Sequence, residues 1–206
     1  MSNLDRALAE ITAIRDQMAR ATEFRGFGPL TSAMTGVIAI AAALVQHFWL
    51  PAAATHVSAW LALWSSSALI SAGLIGVEMI TRSRRHHSHL AEDMMRTAIE
   101  QFLPAATAGL LLTAVLIVFA PTSLWMLPGL WQLMFGLGVF AACRVLPRSI
   151  ALVGFWYLTS GLLALAFAQH GQAFSPWAMG APFGAGQWLA AILLHRSLGD
   201  QHDCAS

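Results

Sequence analysis

The chain has 206 residues, of which 57% are hydrophobic and only 10% charged, and its formal net charge is +1. A soluble domain carries about 25% charged residues, so this composition cannot cover a water-facing surface. It also lacks the strongly basic face of a nucleic-acid binder, and with no lysine all positive side-chain charge is arginine or protonated histidine.

Charge-free runs set the elements. No Asp, Glu, Lys or Arg occurs in 26–77, 101–143 or 149–195, and each run far exceeds the ~20 apolar residues a membrane helix needs. The reading is an all-α polytopic membrane protein. Residues 1–28 form a cytoplasmic amphipathic segment. Leu4, Leu8, Ile11, Ile14 and Met18 recur there at helical spacing, and Ser2 is an N-cap with Asp5 in capping-box register. The segment lacks the apolar core of a cleavable signal peptide. A six-helix transmembrane domain follows over 29–197, with spans 29–50, 58–80, 102–120, 127–146, 150–169 and 177–195. Between spans two and three, 88–101 reads as a linker helix with Leu90, Met94, Ala98 and Ile99 on one side. Glu92, Arg96 and Glu100 form an i,i+4 ladder on another. This helix runs on into span three, where Pro104 causes at most a kink. Residues 198–206 are a cytoplasmic tail.

The loops fix the expected orientation. "PAAATH", "PTSLWM" and "HGQAFSP" are short, uncharged turns after the odd spans. Every arginine lies on the opposite side: Arg6, Arg15, Arg20 and Arg25 before span one, Arg82, Arg84, Arg85 and Arg96 after span two, Arg144 and Arg148 after span four, Arg196 after span six. Arginine excess in short loops marks the cytoplasmic side, so both termini are expected inside. Trp49, Trp125 and Trp177 sit near the outer ends, as interfacial aromatics do. Cys143 and Cys204 fall on the inner side, where a reducing compartment disfavours a disulfide.

The even spans end alike. "AGLIGVEMITRS" (72–83), "GVFAACRVLPRS" (138–149) and "GQWLAAILLHRS" (186–197) each read small-x3-small, then Arg-Ser after five residues. "FGLG" at 135–138 matches "FGAG" at 183–186, and Pro128 matches Pro176. Three helical hairpins related by an axis along the membrane normal are expected. The small pairs Ala72/Gly76, Gly138/Ala142 and Gly186/Ala190 suit close helix approach.

Candidate chemistry is sparse. Glu78 and Arg144 occupy the same position in two repeat copies, and a structural ion pair is expected between them. "RSRRHHSH" (82–89) is first a topology determinant, and among its histidines His86 and His89 are spaced to converge. With His195 they are the candidate metal ligands, since zinc or copper needs three or four donors. No nucleophile elbow, phosphate loop or HExxH pattern occurs, so no catalytic residue and no cofactor is expected. The polar seam Ser65, Ser66, Ser67, Gln132 and Gln187 lies within the spans.

The stretch "EITAIRDQMARATEFRGFGPLTSAMTGVIAIAAALV" resembles the start of an uncharacterised bacterial six-span inner-membrane protein family. Its members open with an amphipathic "IRxxMxRxTxF"-type segment before span one, and "MGAPFGAGQWLAAILL" resembles the family's last span. The resemblance covers mainly residues 10–45 and 177–195. It implies location in the bacterial inner membrane, no catalytic residues, and a link to a cytoplasmic winged-helix-type regulator. The function expected is a non-enzymatic integral membrane scaffold, sensor or accessory subunit. It would dock a cytoplasmic regulatory protein or a larger membrane complex, with the lipid bilayer as its other partner. The alternative is a facilitator or permease for a small uncharged or lipophilic solute.

Overall fold

The computed structural model describes residues 28–50, 56–86, 89–143, 148–168 and 173–203, with backbone alone at 82–86, 89–95, 148 and 198–203. The described residues are all-helical. They form α1 (Pro29–Trp49), α2 (Val57–His86), α3 (His89–Phe119), α4 (Leu127–Ala142), α5 (Ala151–Phe167) and α6 (Pro176–Asp203), with 3-10 turns at Pro121–Met126 and Arg148–Ile150. The expected amphipathic segment over 2–22 lies outside the described residues.

Proline places several helix starts. Pro29 enters α1 from an extended Gly28, and Pro128 sits in the first turn of α4; there the missing N–H has no helical partner to lose. The described part of the linker, 89–101, and span three form one continuous helix, α3, that carries Pro104 in its interior.

Among the described residues, four segments are long and apolar enough to cross a membrane: Pro29–Trp49, Val57–Thr81, Arg96–Phe119 and Pro121–Ala142. Ala151–Phe167 is a shorter apolar helix of 17 residues. The outer surface is itself apolar, with Leu30, Phe48, Leu69, Leu110, Val118 and Phe119 all exposed. Such a surface suits hydrocarbon and would drive aggregation in water.

The helices form an interrupted ring. α1 packs most closely on α6, α4 on α5 and α3 on α4, while α2 meets α3 only sparsely. The tightest interfaces therefore join helices of different sequence hairpins, as well as α3 to α4 within one. Small residues make this possible. A Cβ on Gly129 would lie 2.8 Å from the Gly161 carbonyl oxygen, and one on Gly136 3.1 Å from that of Gly154. α4 and α5 therefore run antiparallel with their backbones nearly touching.

The two matching glycine motifs are used alike. Gly136 of α4 faces Gly154 on α5, and Gly184 of α6 faces Ile40 and Gly36 on α1. Two residues on, Gly138 lies under Phe102 of α3 and Gly186 under Tyr157 of α5. Phe135 and Phe183, which precede the motif glycines, meet edge to face at 5.4 Å. In the remaining copy, a Cβ on Gly73 or Gly76 would meet no other described residue within 4 Å.

Candidate functional site

Apart from Ser32 and Thr35 near the start of α1, a buried polar cluster lies at the end of the bundle where α1 finishes and α6 begins. Its centre is Gln46 on α1, fully buried. Its Oε1 accepts a hydrogen bond from Trp64 Nε1 on α2 at 2.7 Å, and its Nε2 donates to the Phe174 carbonyl at 2.6 Å. One side chain thus ties α1 to α2 and to the approach to α6. In an apolar bundle such groups have no water to turn to, so they must find partners within the protein.

Gln132 on α4 does the same from the opposite side. It is also fully buried, and its Nε2 donates to the Ala178 carbonyl at 2.9 Å and to the Pro128 carbonyl at 3.1 Å. Pro182 explains why Ala178 is available. Residue 182 has no N–H, so the carbonyl four residues earlier loses its helical donor. The freed carbonyl becomes the acceptor for Gln132. Phe174 and Ala178 are one turn apart, and the two glutamines hold the start of α6 between α1 and α4.

Tryptophans wall this chamber. Trp60 is fully buried, stacks on Trp131 at 5.5 Å and meets Phe174 edge-on at 5.1 Å. Trp131 Nε1 donates to Thr113 Oγ1 at 2.8 Å, and Thr113 donates to the Gly109 carbonyl at 2.7 Å. Ala42, Ala43, Leu116, Leu127 and Met179 complete the packing. A second layer lies deeper, where Phe135, Tyr157 and Phe183 form a ring cluster. Gln187 hydrogen-bonds the Tyr157 side chain there.

The candidate residues fall in separate places. Glu78 Oε2 accepts the backbone N–H of Gly28 at 3.2 Å. This puts a carboxylate at the positive end of α1, where it satisfies an orphan donor. Its expected partner Arg144 lies outside the described residues. His86 and His89 sit on the last turn of α2 and the first of α3, and their side chains are outside the described set; His195 is exposed near the end of α6. No cluster of three His, Cys, Asp or Glu side chains occurs among the described residues. Arg96 and Glu100 make the expected i,i+4 pair at 2.7 Å, both well exposed.

The polar seam divides. Ser65 is exposed, and the Ser66 and Ser67 hydroxyls donate back to the Leu63 carbonyl of their own helix. Gln132 and Gln187 serve two different layers. Gln46, Trp60 and Trp64 escaped the sequence reading. The available signal was a pair of tryptophans at i,i+4 inside a span, on one helical face. No protein-family model, curated protein or solved structure matches the chain.

Proposed function

We propose that the chain is a non-enzymatic membrane scaffold, an accessory subunit whose α2 docks a partner within the bilayer. The observation that carries this is the open side of α2. The helix is held near its start by Trp60 and Trp64 and near its end by Glu78 and Met79. Between them Leu69, Ile70, Ala72, Gly73 and Leu74 are exposed, and a Cβ on Gly73 or Gly76 would meet nothing. The matching glycines of α4 and α6 are each covered by a neighbouring helix, so α2 offers the same small-residue surface uncovered. Small residues favour helix association in lipid because backbones approach closely.

On this reading the protein lies in the bacterial inner membrane with six spans and both termini cytoplasmic. The arginine distribution supports that orientation, and the resemblance of residues 10–45 to a bacterial membrane family supports the compartment. A cytoplasmic regulator would engage the arginine-rich face through residues 2–22 and the start of α3.

Two variants test the docking. Gly73→Leu should abolish co-purification of a membrane partner while leaving the thermal stability of the isolated protein unchanged. Deleting residues 2–22 should release a cytoplasmic partner and spare the membrane one. Partner recovery that survives both changes removes the proposal. The second reading, a facilitator for a small uncharged solute, is favoured by the buried amides of Gln46 and Gln132 and the half-buried amide of Gln187. Proteoliposome flux above protein-free vesicles would move the assignment to it.

A further inference from the structure

Two side chains in the glutamine–tryptophan chamber are left incomplete by the protein. Trp60 Nε1, a donor, and Gln132 Oε1, an acceptor, are both buried with no hydrogen-bond partner. Both residues are fully buried. An unpaired polar group at membrane depth costs several kcal/mol, and buried polar atoms in folded proteins are nearly always satisfied by protein or ordered water. Rotating the Gln132 amide by a half-turn is no remedy. Its Nε2 already donates to two carbonyls, which the oxygen could not replace.

The two residues border one buried cluster. Trp60 stacks on Trp131, the residue before Gln132 on α4. The Gln132 amide nitrogen is 4.0 Å from Met179 Sδ, and Met179 packs in the same buried cluster as Trp60. We infer that this chamber is a binding site for one small neutral molecule that accepts from Trp60 Nε1 and donates to Gln132 Oε1. Water is the smallest member of that class, and a short alcohol or amide is a larger one.

The walls decide charge and size. Every chamber residue comes from the runs that contain no Asp, Glu, Lys or Arg. An ion there would lose its hydration with no opposite charge to compensate. A neutral donor–acceptor loses far less. Trp60, Leu127 and Met179 are packed to 2% exposure or less, so only a small molecule fits between such side chains. The site does not depend on the α2 docking face. It lies inside the bundle, and either can fail without the other.

The test is NMR of the full chain in nanodiscs with 15N-labelled tryptophan indoles. Trp60→Phe assigns the Trp60 signal by its loss. The expected result is a Trp60 indole proton at a hydrogen-bonded chemical shift, with a cross-peak to water despite complete burial. Titration with formamide distinguishes the two sources: a saturable shift of that signal means a solute can displace the water, and no shift means water alone. An indole proton at a non-bonded shift with no water contact overturns the inference. So does a direct coupling between the Trp60 indole and the Gln132 amide. If Trp60→Phe does not fold, radiolytic labelling of wild-type protein in 18O-water gives an independent readout. Water bound in the chamber should make Met179 label several-fold faster than the similarly buried Met79; equal rates overturn the site.

Discussion

A primary amide inside an apolar bundle brings two donor protons and an acceptor oxygen, and each needs a partner. Gln46 meets two of these three demands by linking an indole to a loop carbonyl. Replacing it with leucine keeps the volume close but orphans both the Trp64 N–H and the Phe174 C=O. Each orphan costs about 1–3 kcal/mol, whereas interhelical hydrogen bonds measured in a membrane protein average only about 0.6 kcal/mol. The smaller figure applies where the freed groups find new partners, and a fully buried site leaves them few. Gln46→Leu should therefore destabilise by roughly 2 kcal/mol, measurable by equilibrium unfolding in mixed micelles. The double variant Gln46→Leu with Trp64→Phe removes one orphan and should recover part of that loss. Equal losses in the single and the double variant would show that the Trp64 bond contributes nothing. The sequence offered little here. A glutamine beside His47 near a span end reads as an interfacial residue, and only the packing of α1 on α6 turns it inward.

At the scale of elements, most helix starts were legible and the helix partners were not. Uncharged runs and the prolines at 29, 121, 128 and 176 mark starts in physical terms, because proline's fixed φ and missing N–H suit a first turn. Partner choice depends on which small residue lies against which, and alanine, glycine and serine occur throughout the spans. The hairpin reading drew attention to neighbours in sequence, yet α1 lies most closely on α6 and α4 on α5. The glycines provide a test of that pairing. Gly129→Leu must push a side chain into the α5 backbone at Gly161, and such overpacking costs about 1–3 kcal/mol or more. Gly73→Leu, with open space around it, should stay within about 0.5 kcal/mol. Comparable losses from the two, followed by thermal unfolding in one detergent, would contradict the arrangement of α4, α5 and α2.

For the molecule as a whole, the ring α2–α1–α6–α5–α4–α3 is closed everywhere but between α2 and α3. Among the described residues, Arg96 and Arg196 lie toward one end of it, and the buried Gln46, Gln132, Trp60 and Trp64 toward the other. The charge distribution in the sequence carries the orientation as an expectation, because the membrane sorts arginine before any packing is formed. Orientation can be measured directly. With Cys143 and Cys204 replaced by alanine, a single Trp49→Cys should react with a membrane-impermeant maleimide added outside intact cells. A single His195→Cys should react only after the membrane is permeabilised. The reverse pattern would invert the topology, and labelling of both in intact cells would remove the assignment of sides.

The close embrace of α1 and α6 has a consequence for how the protein is made. These helices lie far apart along the chain, so α1 must enter the bilayer with Gly36, Ala39 and Ala43 uncovered while most of the other helices are still being synthesised. α6 sets Gly180 and Gly184 against that surface. Its insertion would lean on the waiting α1 surface and on the amides of Gln46 and Gln132. Assembly then resembles fastening a clasp after the belt has been threaded, and a chain halted before α6 would present a bare small-residue stripe for membrane proteases to find.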